Sequence, residues 1–159
     1  MMKYLLSILS FVLMFSCATS QNTSNYSKIE YEAGACFGFC PIYKMTINKD
    51  RTATFEATRF NFSQDRQSQE SEGTFKGKID QEQYDQLLSM LDSLDPKTLK
   101  DYYGNKNITD LPTSYLTLSS DEGTVKRIQD YGKSGTPELI DLYHFFDDLK
   151  KNQTWTKIE

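Results

Sequence analysis

The sequence predicts a single α+β domain over residues 28–159, with an antiparallel sheet and two amphipathic helices packed on one face. Short segments that alternate apolar and polar residues are typical of half-buried strands. Two longer segments repeat leucine and aromatic residues at helical spacing, which is typical of helices with one buried side. The order is roughly three or four strands then a helix, followed by two strands then a helix. A sheet covered on one face by both helices would bury all of these apolar stripes.

Four strands are predicted in the first half of the domain. Residues 28–31 alternate as a half-buried strand does. Residues 42–47 and 52–60 flank a turn-rich break, which predicts a hairpin. Residues 73–79 form a further predicted strand, weakened by its glycines. The polar, glutamine- and serine-rich stretch 61–72 predicts a loop between these strands.

The first helix and a second hairpin follow. Asp80 with Gln83 resembles a capping box at the start of the helix, and Pro96 predicts its end. Residues 114–119 and 124–131 then flank an Asp-Glu-Gly turn, which is a strong hairpin signal.

The last helix is predicted to begin with Thr136 as its N-cap and Pro137 in its first turn. At helical spacing, His144 falls about 140° from the apolar stripe, so we expect it to face water. Asp147 and Asp148 point about 100° apart on a helix and do not converge as a working carboxylate pair. We therefore interpret these two aspartates as part of a solvated face.

The N-terminus has the order of a secretory signal: a basic start, an apolar run from Tyr4 to Phe15, and small residues around Cys17. The run is too short to span a bilayer, which needs roughly 20 apolar residues. A cysteine that closes such a run resembles a lipobox, where the thiol is diacylated and the chain is cut before it. This predicts a signal peptide at 1–16, a covalent lipid on Cys17 and a flexible tether at 17–27. The alternatives are an ordinary cut after Ala18 and an uncleaved anchor.

Charge limits the classes of partner. The chain has 18 basic and 22 acidic side chains, for a net charge of −4. Nucleic acid is excluded as a partner because phosphate binding requires a basic face. The charge gives no attraction to anionic lipid, so the covalent lipid alone would hold the domain, about 17 Å from the bilayer on its tether. We expect a location in the cell envelope, facing the periplasm or exterior. The expected partner is an envelope protein, peptide or glycan, and no cofactor is expected beyond the lipid.

Two cysteines remain once Cys17 carries the lipid. An even pair in an oxidising compartment favours a disulfide between Cys36 and Cys40. Gly38 permits the positive φ that such a tight turn requires. So short a loop removes chain entropy worth on the order of 2 kcal/mol, so the main effect would be to fix a local shape. Because Pro41 leads directly into a predicted strand, we interpret the motif as a disulfide-closed turn at the start of that strand.

Two other interpretations of this motif stay open. The Cys-x-x-x-Cys-Pro string resembles the copper motif of Sco-type assembly proteins, which adds a distant histidine, and His144 is the single histidine here. Thiolates and imidazole suit copper, so Cys36, Cys40 and His144 form the alternative metal set. That family, however, places a helix after its cysteines, whereas Pro41 opens a strand. A redox-active dithiol would require a helix N-terminus or a nearby cation, and only Lys44 meets this condition.

Other chemical motifs are incomplete. A single histidine does not easily supply a nucleophile triad. Residues 132–134, Gly-Lys-Ser, resemble the end of a phosphate loop, but Arg127 stands where the first glycine is required. The same turn precedes a helix and could hold a phosphate or carboxylate, although an ordinary loop is the favoured interpretation. Tyr102, Tyr103 and Tyr131 would form a binding surface if they cluster in space. We therefore expect a non-enzymatic structural or binding module, with thiol-redox or copper handling as the alternative.

The string from Gly34 to Tyr43, Gly-Ala-Cys-Phe-Gly-Phe-Cys-Pro-Ile-Tyr, resembles the hallmark of an uncharacterised family of bacterial envelope lipoproteins, a domain of unknown function. Later matches are Asp110 with the Pro-Thr pair at 112–113, and the Asp-Tyr pair at 130–131. The likeness covers nearly the whole mature domain. Arg51 departs from it, because a glycine is expected there in the first hairpin. The resemblance implies an exported, cysteine-bearing α+β module, and it implies no activity, substrate or catalytic residue.

Overall fold

The computed structural model describes residues 25–61, 72–105 and 107–159. The predicted signal peptide (1–16), the lipid site Cys17, most of the tether (17–27) and most of the predicted loop (61–72) lie outside the described residues. Within the described part of the chain, no helix is long and apolar enough to cross a membrane.

The described residues form one sheet of eight strands and two α-helices. The strands are β1 (Lys28–Ala33), β2 (Ile42–Asn48), β3 (Thr52–Arg59), β4 (Gly73–Lys78), β5 (Tyr102–Tyr103), β6 (Thr113–Ser120), β7 (Gly123–Tyr131) and β8 (Thr156–Lys157). The helices are α1 (Gln81–Leu94) and α2 (Pro137–Asn152), with a short 3₁₀ helix at Pro96–Thr98. The α+β class is confirmed.

The strands lie in the order β5-β7-β6-β1-β2-β3-β4-β8 across the sheet. All neighbouring pairs are antiparallel except β5 and β7, which are parallel. The prediction of a wholly antiparallel sheet is therefore wrong at this edge. The two-residue strands β5 and β8 were not predicted, because segments this short carry no periodic pattern.

The buried core contains alternate residues of the central strands together with the apolar stripes of both helices. Tyr31 on β1 stacks against two rings of α2, with centroid distances of 4.7 Å to Phe146 and 5.4 Å to Tyr143. Leu87 and Leu91 of α1 are buried in the same cluster. Burying one such large apolar side chain stabilises the fold by about 1.5 to 3 kcal/mol, so these stripes supply much of the driving force.

The helix ends show one confirmed and one wrong prediction. Thr136 caps α2, because its Oγ1 accepts a hydrogen bond of 3.3 Å from the backbone N–H of Leu139. The predicted capping box at Asp80 is wrong: its side chain makes no cap hydrogen bond, and its backbone N–H donates to Gln153 Oε1 at 3.3 Å. In a capping box, the side chain of Gln83 would accept from the N–H of Asp80. Here Gln153, just after α2, accepts that hydrogen bond. Helix α1 ends at Asp95, which has a left-handed φ of 43°.

Arg51 occupies the hairpin position where a glycine was expected, and it has a φ of 70°. Three hydrogen bonds hold it there. Its backbone N–H donates to Asn48 O at 2.8 Å, its guanidinium donates to Ile79 O at 3.2 Å, and its own carbonyl accepts from Ile79 N–H at 2.9 Å. The strained backbone is therefore stabilised by contacts that tie the hairpin to the segment after β4.

The sheet has two distinct ends, defined by the direction of β1. We call the end where β1 begins the tether end; there Lys28 pairs with Asn48 of β2 and with Ser119 of β6. We call the opposite end the hallmark end; there Ala33 pairs with Tyr43 and the chain enters the cysteine loop. Because β1 has 6 residues, the two ends are about 20 Å apart.

Candidate functional site

The cysteine loop and the loop before β6 meet at the hallmark end through backbone hydrogen bonds. The N–H of Gly34 donates to Thr113 O at 2.7 Å, and the N–H of Phe37 donates to Asp110 O at 3.1 Å. A Cβ at position 34 would lie only 2.9 Å from Thr113 O. Gly34 is therefore needed for close approach of two backbones, and the cysteine loop is joined to the loop that precedes β6.

Tyr131 also holds the loop before β6, through its side-chain hydroxyl. Its hydroxyl donates to Ile108 O at 2.8 Å and accepts from the N–H of Leu111 at 3.2 Å. The next residue, Gly132, donates its N–H to Pro112 O at 2.8 Å. One tyrosine side chain thus satisfies two backbone groups of a loop that has no regular pairing of its own.

Asp130 organises the turn before α2. Its side chain is fully buried, and its carboxylate accepts from the N–H of Ser134 at 2.8 Å and from the N–H of Gly135 at 3.0 Å. The Ser134 hydroxyl donates to the same carboxylate at 3.3 Å. The sequence favours an ordinary loop here, with a phosphate or carboxylate site as the alternative. In the structure, these two N–H groups are bound by the protein's own carboxylate.

The structure places Cys36 and Cys40 at disulfide distance, with their Cα atoms 5.8 Å apart. Gly38 between them has a φ of 133°, in the region that favours glycine, as predicted. Strand β2 begins at Ile42, so the motif leads into a strand and not into a helix. Over residues 25–61, 72–105 and 107–159, no group of three or more His, Cys, Asp or Glu side chains is suited to a metal. His144 is exposed on α2, and the structure does not join it to the two cysteines in such a group.

Asp147 is not part of a solvated face, and that prediction is wrong for this residue. It accepts a hydrogen bond of 2.8 Å from the Tyr43 hydroxyl, and the Nζ atoms of Lys133 and Lys150 lie 3.6 and 3.7 Å from its carboxylate. Burial lowers the pKa of Lys150, an effect that Asp147 opposes. Asp148, in contrast, is exposed, as predicted. Because Tyr43 and Asp147 are 104 positions apart, no local pattern could reveal their contact.

Buried tyrosine hydroxyls stay protonated in this region. Burial, followed by the nearby Tyr31 and Asp147, raises the pKa of Tyr43 well above its ordinary value. Burial also raises the pKa of Tyr143, and the charge of Asp130 adds to this effect. These groups therefore act as neutral hydrogen-bonding and packing groups at physiological pH.

Two tyrosines of the predicted binding surface use their hydroxyls inside the fold. Tyr103 packs against the core, and its hydroxyl accepts from the N–H of Lys100 at 3.2 Å. The hydroxyl of Tyr131 is engaged with the loop before β6. Tyr102 pairs with Gln129 in the short strand β5. These tyrosines therefore serve local structure.

Three exposed apolar side chains lie on the loops of the hallmark end, and we call this group the aromatic tip. It comprises Phe37, 87% exposed, with Phe39 and Ile108, which are 50% and 48% exposed. Phe39 contacts the ring of Phe60 edge to face at 5.3 Å, and the Arg59 guanidinium lies 4.7 Å from the centre of that ring. Sequence reasoning missed this group because loop residues lack the periodicity that separates buried from exposed positions.

The sheet also has a charged surface away from the apolar core. Glu30 forms ion pairs of 2.9 Å with both Lys28 and Lys44. Burial alone would raise the pKa of Glu30, but the hydrogen bonds and charges of these lysines together lower it. The guanidinium of Arg127 lies 4.9 Å from the ring centre of Tyr115. Glu30 and the two lysines thus pair their charges across the sheet, and Arg127 packs on the Tyr115 ring.

The fold and these contacts define an α+β domain with a single, mostly antiparallel sheet whose motif residues join several loops at one end. Residues 27–150 match the family described as domain of unknown function DUF6438, and the chain belongs to this family. The match extends from just before β1 to near the end of α2. A search of curated proteins found no match.

Proposed function

We propose that this chain is a cell-envelope lipoprotein, anchored by a lipid on Cys17, whose domain is a non-enzymatic structural or binding module. In this proposal residues 1–16 are the signal peptide, residues 17–27 are the tether, and the domain faces the periplasm or the exterior. Both helices are taken to cover one face of the sheet. This arrangement is supported by the single buried cluster that alternate strand residues share with both helices.

The polar groups of the hallmark end are hydrogen-bonded inside the fold, and this observation supports a module over an enzyme. Asp130 binds backbone N–H groups, Tyr131 holds a loop, and Asp147 is bound by Tyr43. A catalytic group must be available to contact a substrate, whereas these groups are engaged inside the fold. Among the large apolar side chains described at this end, Phe37 is 87% exposed, and such a side chain suits contact and not chemistry.

We also propose that Cys36 and Cys40 form a structural disulfide. Their placement at disulfide distance and the oxidising compartment support this assignment. The strand after Cys40 argues against the redox and copper alternatives, since a helix N-terminus is what would activate a thiol there. Alkylation of protein taken directly from the envelope should find no free thiol. A reduction potential below about −300 mV is expected for a structural bridge, and readily reversible reduction above that value would support redox cycling instead.

The lipid anchor is tested by metabolic labelling with a palmitate analogue in cells that express the full chain. The wild-type protein should carry the label and sediment with membranes, and Cys17→Ser should lose both properties. The double variant Cys36→Ser, Cys40→Ser is the matched control, because it removes two thiols and leaves the lipid site intact. An unlabelled wild-type protein, or a C17S protein that stays labelled, would contradict the anchor.

A further inference from the structure

We propose that residues 154–159, which we call the strap, open from the edge of β4 while the rest of the domain stays folded, and that the groove beneath them binds an extended segment of another protein. That segment places an aromatic side chain where Trp155 lies in the closed form. All of these residues lie in the described part of the chain, so the proposal is independent of the lipid anchor and of the hallmark end.

The edge of β4 is shaped to hold the strap. A Cβ added at Gly77 would lie 2.9 Å from Thr154 O and 2.9 Å from the nearest ring atom of Trp155. A Cβ added at Gly73 would collide with Glu159 O. Because both glycines leave room for atoms of the strap, the groove is a feature of β4 itself.

The groove combines an apolar wall with a hydrogen-bond acceptor. The Trp155 ring packs against the core, with its centre 5.3 Å from that of the Phe55 ring. Its indole N–H donates to Lys150 O at 3.0 Å. Lys150 lies in the last turn of α2, where carbonyl groups have no partner within the helix. The pocket therefore suits an aromatic side chain that carries a donor, such as tryptophan.

The rest of the groove is the edge of a strand. The strap pairs with two residues of β4, Phe75 and Lys76. The N–H of Thr74 donates to Glu159 O at 3.0 Å, and its carbonyl accepts from Ile158 N–H at 2.8 Å. Addition of a strand to a sheet edge is a recurring mode of peptide binding, in which main-chain hydrogen bonds give affinity and side-chain pockets give specificity.

The strap is held by fewer contacts than the strand on the other side of β4. Strand β3 pairs with β4 at six positions, whereas β8 pairs at two. Residues 156–159 are exposed, and Trp155 is the apolar side chain of the strap that packs against the core. The strap also lies beyond residues 27–150, which match the family, so β4 is the outer strand of the matched region. Segments with few buried contacts open locally while the rest of a domain stays folded.

An occupant from another protein must bind better than the strap, and Lys76 provides a contact for it. Lys76 is exposed, and Thr54 and Thr156 lie opposite it on the two neighbouring strands. Among the described residues, this lysine forms no ion pair. An acidic residue in the place of Thr156 would pair with it across the strands, a contact that the strap lacks. The partner segment is therefore one in which an aromatic residue is followed directly by an acidic one.

A second copy of this chain is a poorer occupant. It would offer the same strap, so exchange between two copies would gain no contact in the groove. The exchange would also lose the entropy of association, which a strap within one chain does not lose.

The test measures binding of a synthetic, fluorescein-labelled peptide of residues 153–159 that carries Thr156→Glu. The full chain is compared in detergent as Trp155→Ala, which empties the pocket of the strap's own ring, and as Ile158→Ala. Ile158 is the matched control, because it is a strap residue that is 46% exposed and pairs through its backbone. By fluorescence anisotropy, W155A should bind the peptide at least about tenfold more tightly than I158A, since its groove is open more of the time. Equal affinities, or no binding to W155A, would overturn the proposal.

Specificity is tested with the same variant. A peptide with alanine in the place of Trp155 should bind W155A at least about tenfold more weakly than the first peptide, as expected when an aromatic anchor is removed. Adding Gly77→Ala to W155A should also abolish binding, because the new Cβ occupies the space of the aromatic ring. Equal binding of the two peptides, or binding that survives G77A, would show that the groove is not the site.

Opening of the strap is tested without any substitution, by hydrogen exchange of the wild-type full chain. The N–H of Ile158 should exchange at least about 100-fold faster than the N–H of Met45 in the central strand β2, because only the first is freed by local opening. Equal rates would mean that the strap leaves only when the whole domain unfolds, and the proposal would fail. This measurement stands even if W155A, which loses its contact with Phe55, does not fold.

Discussion

Replacing Asp130 by asparagine tests the turn that leads into α2. Asparagine keeps the size of the side chain but has one oxygen and one amide NH₂ group. The buried carboxylate accepts from two backbone N–H groups, those of Ser134 at 2.8 Å and Gly135 at 3.0 Å. In Asp130→Asn, one of these N–H groups therefore faces a donor and is left without an acceptor.

The expected cost follows from the bonds that are lost. A hydrogen bond to a charged group contributes about 1.5 to 3 kcal/mol, and a buried donor without a partner costs about 1 to 3 kcal/mol. Since these two contributions overlap, we expect Asp130→Asn to lose about 3 kcal/mol of the free energy of unfolding. For a domain of this size that corresponds to a decrease in Tm of roughly 10 °C.

Urea denaturation followed by circular dichroism, on the full chain, measures this loss. Asp148→Asn is the matched control, because Asp148 is exposed on α2 and forms an ion pair with the exposed Lys151, at 3.6 Å. Its stability should change by less than about 0.5 kcal/mol. If the two variants were equally stable, the carboxylate of Asp130 would not be the anchor of the turn, and the argument from its two N–H contacts would fail.

Three further substitutions have defined outcomes in the same assay. Gly34→Ala should lose about 1 to 3 kcal/mol, because its Cβ would lie 2.9 Å from Thr113 O, and an unchanged stability would refute the close approach. Tyr43→Phe should lose about 1.5 kcal/mol with its bond to Asp147, and no loss would mean that this bond is not formed. Glu30→Gln should lose about 1 kcal/mol at pH 7. The folded-state pKa of Glu30 is lowered, so its contribution is present above the ordinary value of 4.5 and is lost as pH falls through the lowered pKa. The two stability curves should therefore meet at a pH below that lowered pKa, and curves that stay parallel would contradict this.

Most secondary structure could be predicted because it depends on local patterns. The alternation along β2 and the hairpin at Gly123 are visible in the sequence, and the structure has both. Thr136 caps α2 because capping involves residues only three positions apart. The wrong capping box at Asp80 shows the limit of this reasoning. The pattern was present, but Gln153, distant in sequence, supplies the contact to that helix end.

The contacts of the hallmark end could not be predicted, because they join segments that are far apart in the chain. Tyr43 meets Asp147 across 104 positions. Helical spacing places Asp147 nearer than Asp148 to the apolar stripe of α2, but it does not show which strand residue Asp147 contacts. The Gly-Lys-Ser-Gly-Thr turn was interpreted as an ordinary loop with a capping threonine, with an anion site as the alternative, and Thr136 does cap α2. What the sequence could not show is that Asp130, at the end of β7, lies close enough to be that anion.

These contacts give three residues at this end of the sheet a physical role in the fold. Gly34 allows two backbones to approach, Tyr131 holds the loop before β6, and Asp130 fixes the turn before α2. Each acts by positioning loops at one end of the sheet, and those loops carry Phe37. If the module acts through Phe37, a variant such as Gly34→Ala should weaken partner binding even where the helices and the sheet remain folded. Gly34→Ala would then lose both stability and binding, whereas Phe37→Ala would lose binding alone.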